Sequence, residues 1–222
     1  MFIKKSINSY LQELSSKKPI PGGGSVCALS GALGAGLLLM VVNFTLNKEA
    51  YKRYFHELSA ILKRLNAVEE NFKKLVDRDS QAYLLIVKAY RLPKDTRLKE
   101  TFRRKKIQAA LKKSTAVTFE IIKHSASAMK FSRRLLDIGN KNLISDVGVG
   151  ACMLESAIKG ALLNVEINLA GIKDERFKEG ISAKANSLVN EARKIAHFVI
   201  NQTSGRIINP DFAKSKSARR AD

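Results

Sequence analysis

The segment from Val26 to Leu46 contains 21 consecutive residues without a formal charge, and this segment most constrains how the chain can fold. Its length would allow one helix to cross a membrane. However, three glycines and the polar residues Ser30, Asn43 and Thr45 interrupt its apolar character, and no aromatic belt marks its ends. A helix enclosed by other helices is also uncharged on every side. We therefore predict a buried bundle helix rather than a membrane span.

The rest of the chain places apolar residues at helical spacing, and no segment shows the alternation typical of a strand. Chain-breaking residues at 17–25, 91–94 and 139–140 separate the helical segments, and Ser25 is expected to cap the helix after it. We predict helices over residues 4–16, 26–46, 49–90, 95–138, 145–170 and 174–202. Long helices joined by short turns form an all-α, antiparallel up-down bundle. We expect one domain over residues 1–205 and a disordered basic tail at 206–222.

The net charge is strongly basic, +20 from 40 Lys and Arg against 20 Asp and Glu. A basic surface attracts polyanions, so a non-catalytic helical protein that binds nucleic acid or another polyanion is one alternative. The charge is uneven, because residues 51–113 carry 18 basic and 7 acidic side chains while residues 142–172 are net acidic. No nucleic-acid-binding motif accompanies the basic stretch 97–113. We therefore expect neither nucleic acid nor a membrane as the partner.

The cysteines and histidines give no sign of a metal site. Cys27 and Cys152 lie in apolar surroundings, and we expect both to be buried thiols of a cytoplasmic protein. The three histidines have no metal-ligating partner one helical turn away. We predict no bound metal.

The glycine run Gly22-Gly23-Gly24, followed by Ser25, stands immediately before a predicted helix. Consecutive glycines let backbone N–H groups converge at a helix N-terminus, where an anion or a polar ring can bind. A tight turn that requires a positive φ angle is the simpler interpretation. The sequence leaves both open.

Asp79 lies among apolar residues at helical spacing, namely Leu75, Ala82, Tyr83 and Ile86. This places its carboxyl group on or beside a buried face, where desolvation raises the pKa and suits a general acid or base. Pairing with a nearby cation such as Arg78 or Lys74 is the alternative. Asp77 points away from the apolar stripe and is expected to be solvated.

The segment after Gly139 offers further polar candidates. Ser145 or Asp146 is a natural N-cap for the helix that follows. Farther along that helix, Asn164 and Asn168 are one turn apart, so two amide groups share a face and need partners.

Together these motifs resemble the formimidoyltetrahydrofolate cyclodeaminase family. The resemblance spans roughly residues 5–205 and is carried by PGGGSV (21–26), VDRDSQAY (76–83), AYRLPK (89–94), GNKNLISDVGVGA (139–151) and GALLNVEINL (160–169). It implies an all-helical bundle that forms a homodimer. It also implies a stand-alone protein, because no formiminotransferase domain is present.

The resemblance implies a cytoplasmic enzyme of folate one-carbon metabolism that needs no metal or redox cofactor. The implied reaction is cyclodeamination, in which folate N10 attacks the N5-formimino carbon, ammonia leaves and 5,10-methenyltetrahydrofolate forms. Hydrolysis of the methenyl bridge to 10-formyltetrahydrofolate by the same pocket, a cyclohydrolase activity, is the alternative. A polyglutamylated folate is anionic, and the basic charge of the chain would attract it.

The resemblance also assigns the site residues. Asp79 corresponds to the catalytic carboxylate and is implied to be the general acid and base. The implied substrate-binding residues are Gly22, Gly23, Gly24, Ser25, Tyr83, Arg91, Lys94, Ser145, Asp146, Asn164 and Asn168. Ser80 and Tyr83 depart from the alanine and phenylalanine usual in the family, and they add hydroxyl groups near the proposed acid.

Overall fold

The computed structural model describes residues 1–208, and these residues form helices without a strand. The six α-helices are α1 (Ile7–Leu14), α2 (Gly23–Leu46), α3 (Phe55–Tyr90), α4 (Arg97–Ile138), α5 (Ile144–Ala170) and α6 (Glu175–Ile208). Short 3-10 turns lie at Phe2–Lys4, Glu49–Tyr54 and Lys141–Leu143. The predicted all-α class is confirmed. Helix α6 continues three residues past the boundary expected at 205, and the rest of the predicted tail, 209–222, lies outside the described residues.

Consecutive long helices run antiparallel, as predicted for an up-down bundle. Two bidentate ion pairs show this for α3 and α4, because Arg78 binds Glu120 while Arg134 binds Glu57 at the other end. Helix α2 packs mainly against α3 and α5, α4 closes the opposite side, and α6 covers α4 and α5. The main core therefore lies among α2, α3, α4 and α5.

Helix α2 is long and apolar enough to span a membrane by length and composition. In this structure it packs along its length against other helices of the bundle, as the sequence predicts. Its glycines allow close approach. At Gly31 a Cβ atom would lie 2.4 Å from the buried Phe72 ring, and at Gly34 it would lie 2.9 Å from the carbonyl oxygen of Gly150. One face of α2 stays exposed, with Val26, Leu33 and Phe44 on it.

The helix ends only partly follow the predicted capping. Thr96 caps α4, because its Oγ1 accepts a hydrogen bond from the N–H of Lys99 at 3.2 Å. The capping roles of Ser25, Ser145 and Asp146 are wrong, since α2 begins at Gly23 and α5 at Ile144, each without a side-chain cap. These three polar residues lie inside the first turn, where their side chains are free for other contacts.

The cysteine prediction holds for one residue only. Cys27 is buried against Gly160, and burial raises the pKa of its thiol to about 11. Cys152 is exposed, because it lies on the side of α5 that no other described helix covers.

Candidate active site

A cavity of about 470 Å³ opens where α2 begins. Because α2 starts only at Gly23, it leaves a space between the longer helices α3, α4 and α5. The residues around this space are Pro19, Ile20, Gly22, Gly23 and Gly24 before and in α2; Asp79, Tyr83, Ile86 and Tyr90 on α3; Leu111, Ser114 and Thr118 on α4; and Asn164, Ile167, Asn168 and Gly171 on and after α5. Four separate parts of the sequence thus meet in one site.

Asp79 lies at the inner wall of the cavity and is only 9% exposed. Burial raises the pKa of its carboxyl group to about 6, against the opposing effect of a hydrogen bond from the backbone N–H of Ser25. Its neighbour Arg78 points the other way and binds Glu120. Asp79 has no ion-pair partner within residues 1–208, so the cation-paired interpretation does not describe it. A carboxyl group with a pKa near neutrality can both donate and accept a proton.

The glycine run makes room for this carboxyl group. A Cβ atom at Gly24 would lie 2.0 Å from Asp79 Oδ1, and one at Gly23 would lie 3.4 Å from the amide of Asn164. No glycine within residues 1–208 has a positive φ angle, so the tight-turn interpretation is wrong. The glycines serve close approach at the N-terminal end of α2, where backbone N–H groups face the cavity.

Ser25 links the cavity wall to the N-terminal helix. Its backbone N–H binds Asp79, and its Oγ lies 3.1 Å from the hydroxyl of Tyr10. Tyr10 is buried, and burial raises its pKa. Sequence reasoning missed this role of Tyr10, because its spacing shows only that it faces inward from α1.

The two asparagine amides predicted to share a face both reach the cavity. Asn164 donates to the carbonyl oxygen of Gly160 at 2.9 Å, and Asn168 donates to Ser114 Oγ at 3.1 Å. Within residues 1–208, neither Oδ1 atom accepts a hydrogen bond. Thr118 completes this side, with its hydroxyl bound to the carbonyl oxygen of Ser114 at 2.7 Å.

Several lining residues were not singled out from the sequence. The sequence does contain a signal for Ile86 and Tyr90 on α3. They follow Asp79 and Tyr83 at intervals of three or four residues, so all four side chains share one helical face. Ser114 and Thr118 on α4 carry no such signal, because small hydroxyl residues are common in helices.

Asp77 does not lie where the sequence placed it. It is buried, and its Oδ1 accepts a hydrogen bond from the N–H of Phe2. The expectation of a solvated side chain was wrong because the 3-10 turn at Phe2–Lys4 folds over this part of α3. Asp77 therefore anchors the N-terminal segment.

Five predicted binding residues do not border the cavity, and one of them, Ser25, is fully buried beside the lining residue Gly24. Arg91 and Lys94 are exposed in the connection from α3 to α4, just after Tyr90. Ser145 and Asp146 are in the first turn of α5, at the opposite end of the bundle. Asp146 is on the same face of α5 as Asn164 but about 27 Å away along the helix.

A second, cationic cavity of about 670 Å³ shares Tyr90 and Gly171 with the first. Its basic lining residues are Arg104, Lys105, Lys112 and Lys173. Gln108 ties α4 to the segment after α5 at this cavity. The side-chain amide of Gln108 donates to the carbonyl oxygen of Gly171 and accepts from the N–H of Lys173, both at 2.8 Å.

An all-α bundle in which a buried carboxyl group of raised pKa faces a cavity is an arrangement typical of enzymes that use acid–base chemistry. Comparison with known proteins makes the assignment specific. The chain belongs to the formiminotransferase-cyclodeaminase family, whose model matches residues 6–187. It is thus a folate one-carbon enzyme of the cyclodeaminase and cyclohydrolase type.

Two relatives and one solved structure illustrate the family. The chain is 32% identical over 203 residues to a methenyltetrahydrofolate cyclohydrolase of Methylorubrum extorquens, covering 91% of this chain and 98% of that one. It is 33% identical over 208 residues to the formimidoyltransferase-cyclodeaminase of Sus scrofa, covering 92% of this chain but 38% of that one. The crystal structure of formiminotetrahydrofolate cyclodeaminase from Thermotoga maritima superposes with a TM-score of 0.84 at 25% identity, covering 92% and 98%.

Proposed function

We propose that this chain catalyses cyclodeamination of 5-formiminotetrahydrofolate to 5,10-methenyltetrahydrofolate with release of ammonia. The observation that carries the proposal is Asp79, a carboxyl group with a pKa of about 6 facing a cavity in a member of this enzyme family. The reaction moves one proton between two nitrogen atoms, and a group that titrates near neutrality can do both halves of that transfer.

The proposed steps balance with Asp79 as the only proton carrier. N10 attacks the formimino carbon of the amidinium group, and the carboxylate of Asp79 takes the N10 proton. The neutral Asp79 then gives this proton to the amino group of the tetrahedral intermediate. The carbon–nitrogen bond to that group breaks, ammonia leaves, and the positive charge stays on the methenyl bridge.

The cavity offers groups that match a pterin ring. We propose that the Asn164 and Asn168 Oδ1 atoms accept hydrogen bonds from ring N–H groups, while Gly22, Gly23 and Gly24 present backbone to the ring. The half-exposed Tyr83 side chain would lie beside the bound folate. Ser25 holds Asp79 through its backbone N–H.

The glutamate end of the folate would point toward the cationic cavity. Lys105 and Lys173 have no ion-pair partner within residues 1–208, whereas Lys112 binds Asp174. We propose that these two lysines bind the carboxylates of a polyglutamate tail, with Arg91 and Lys94 close to the rim at Tyr90. In this proposal, part of the basic charge of the chain serves to bind the substrate rather than a nucleic acid.

Cyclohydrolase activity is the second candidate. The relative that matches this chain over nearly its whole length at 32% identity is a methenyltetrahydrofolate cyclohydrolase. In that reaction water is the nucleophile in place of N10: Asp79 would take one proton from water as it attacks the methenyl carbon, and would return it to N5 as the C–N5 bond breaks. The remaining hydroxyl proton would leave to solvent as the formyl C=O forms, which removes the positive charge of the methenyl bridge.

The oligomeric state, the compartment and the cofactor requirement of the enzyme are also proposals. We propose a cytoplasmic homodimer that works without a metal or redox cofactor. Support for the dimer comes from the exposed apolar face of α2, which carries Val26, Leu33 and Phe44 at 38%, 54% and 58% exposure. Exposed apolar surface of this kind marks interaction sites.

The test is to supply each folate separately. Formation of the methenyl group is followed by its absorbance, and ammonia is assayed in parallel, with wild type and Asp79→Asn. Cyclodeamination predicts equal amounts of both products from 5-formiminotetrahydrofolate and a loss of at least about a hundredfold in kcat for the variant. Consumption of 5,10-methenyltetrahydrofolate without turnover of the formimino substrate would establish the cyclohydrolase instead. Absence of both activities would refute the proposal.

A further inference from the structure

A third cavity, of about 390 Å³, lies between α3 and α4. Its volume is in the range of small-molecule sites in proteins. It shares no lining residue with the cavity that contains Asp79, and it shares only Ala109 with the cationic cavity. The proposed function therefore gives it no role. We call it the lysine groove, after the three lysines that line it, Lys88, Lys106 and Lys113.

Every other residue that lines the lysine groove is apolar. These residues are Leu85, Ala89 and Leu92 from α3 and the turn after it, and Phe102, Ala109 and Ala110 from α4. Leu85 and Phe102 are 38% and 52% exposed, so their apolar surface contacts water. A ligand with an apolar body would remove this surface from water, which is favourable.

Two of the lysines face the groove from different helices. The Arg103 guanidinium donates to the carbonyl oxygen of Tyr90 at 3.0 Å and ties the end of α3 to α4. Lys88 precedes Tyr90 by two residues and Lys106 follows Arg103 by three, so in this antiparallel pair they stand at about the same level. Their ammonium groups therefore flank the groove, where one anionic group can bind to both.

The positive charge at the groove has no acidic partner. None of its three lysines forms an ion pair within residues 1–208. In the range 80–119 the only acidic residues are Asp95 and Glu100, and each is paired with another cation. The lysine groove thus combines apolar walls with positive charge, which complements an anion that carries an apolar body.

We propose that the lysine groove binds a carboxylate on a hydrocarbon chain of medium length, such as decanoate. The chain would lie against Leu85, Leu92 and Phe102, and the carboxylate would accept hydrogen bonds from Lys88 and Lys106. Leu85 and Leu92 are seven residues apart, so the groove extends about 10 Å along α3 and fits a medium chain rather than a long one.

Charge argues against a second copy of this protein as the occupant. The chain carries a net charge of +20, and its exposed apolar face on α2 contains no acidic residue that could meet the lysines. A small anionic ligand meets the groove without this repulsion. The inference goes beyond the proposed function and does not rest on it.

The first experiment locates the ligand, and it uses the fact that the sequence contains no tryptophan. Phe102→Trp places a single tryptophan in the wall of the groove, and bound bromodecanoate should quench its fluorescence to saturation. Phe198→Trp is the matched control, because both phenylalanine rings are partly exposed and lie under a cation, Lys106 or Arg133. Phe198 is on α6 and does not line the groove, so its variant should show only weak, unsaturated quenching. Circular dichroism confirms that both variants fold.

The second experiment measures the contribution of charge by calorimetry, below the concentration at which the ligands form micelles. Wild type should bind one decanoate per chain about tenfold more tightly than decanol, because the alcohol makes no ion pair. Lys88→Met/Lys106→Met keeps the apolar stems and removes both charges, so its affinity for decanoate should fall about tenfold while its affinity for decanol stays unchanged. Lys123→Met is the control, since Lys123 is exposed on α4 and lies over Phe119 as Lys106 lies over Phe102. It should bind decanoate as wild type does.

Several results would overturn the proposal. They are equal quenching of the two tryptophans, a decanoate affinity in wild type no higher than that for decanol, and an unchanged decanoate affinity in the double lysine variant. Quenching of Phe102→Trp by vesicles of brominated anionic phospholipid, without quenching by free bromodecanoate, would also overturn it and would indicate a membrane-binding surface instead. No measurement uses a folate, so none of these results bears on the proposed function.

Discussion

The backbone of Gly24 lies against the carboxyl group of Asp79 so closely that a methyl group on Gly24 would come within 2.0 Å of Oδ1 and 2.4 Å of Cγ. The two residues are on adjacent antiparallel helices, α2 and α3. The missing side chain at Gly24 therefore shapes the space around the buried carboxyl group, and the first turn of α2 supplies its hydrogen bond through Ser25.

Gly24→Ala should displace Asp79 and abolish most of the activity. We expect kcat to fall at least about a hundredfold, as when a catalytic acid is misplaced. The fold should persist, since the clash involves one side chain at a cavity. Steady-state kinetics and circular dichroism provide the measurement.

Gly180→Ala is the control for that variant. Gly180 lies in α6, where a Cβ atom would have no other atom within 4 Å, and the alanine should stabilise the helix by about 1 kcal/mol without loss of activity. Wild-type kinetics in Gly24→Ala would contradict the tight fit between Gly24 and Asp79.

Asp79→Asn should remove a pH-dependent loss of stability. The pKa of Asp79 is raised by burial to about 6, above its ordinary value of 3.8, so the folded state holds its proton more tightly than the unfolded state. The stability linked to this proton is complete below pH 4 and disappears as pH rises through 6, a total of about 3 kcal/mol.

Urea unfolding of both proteins between pH 4 and 7 measures this effect. Relative to wild type, Asp79→Asn should gain stability as pH rises, and the gain should level off above pH 7. A difference between the two proteins that does not change with pH would show that Asp79 titrates normally.

Tyr10→Phe should change the site through Ser25. The variant leaves the buried Ser25 hydroxyl without its phenolic partner, which costs about 1 kcal/mol of stability. When the Ser25 backbone becomes more mobile, the hydrogen bond from its N–H to Asp79 weakens. That bond lowers the pKa of Asp79, so the pKa rises in the variant. We expect the acid limb of the kcat/KM profile to move to higher pH. Superimposable pH profiles would restrict Tyr10 to a packing role.

Gly31→Ala tests the contact between α2 and α3 away from the cavity. Its Cβ atom would lie 2.4 to 2.9 Å from three ring atoms of Phe72, which is fully buried. Overpacking of this kind destabilises by about 2 kcal/mol. Denaturant unfolding should show that loss, and the double variant Gly31→Ala/Phe72→Leu should recover part of it. Equal stability of Gly31→Ala and wild type would contradict the close contact.

Lys105→Ala/Lys173→Ala should discriminate between folates by tail length. Both lysines line the cationic cavity, and neither lines the cavity that contains Asp79. We expect KM to rise about thirtyfold for a polyglutamylated substrate, with little change for the monoglutamate, because each of the two lost charge-assisted contacts costs about 1 kcal/mol. An equal rise for both substrates would place the tail elsewhere.

The helical architecture was predictable because it depends on periodicity. The pattern of apolar residues from Leu58 to Ile86 and the proline at 93 suffice to mark a long helix and its end. The position of Asp79 on the inner face follows from the same periodicity. Capping was less predictable, because Ser25 and Ser145 fit the composition of an N-cap but lie three and two residues after the N-cap positions, Gly22 and Leu143.

The neighbours of each side chain were not predictable, since they depend on distant segments. Asp77 is buried by the N-terminal turn some 75 residues away, and Asn168 is bound by Ser114 on another helix. No local pattern encodes such contacts.

The sequence by itself determined an all-α bundle, an uncharged helix within it and a carboxyl group on its inner face, because these features depend on residues three or four positions apart. The tertiary structure decided that Gly24 leaves space for Asp79, that the Ser25 N–H reaches it, and that Ser145 and Asp146 lie at the far end of the bundle. These relationships depend on the register of one helix against another. That register is set by close packing of whole helices, which a single sequence read locally does not contain.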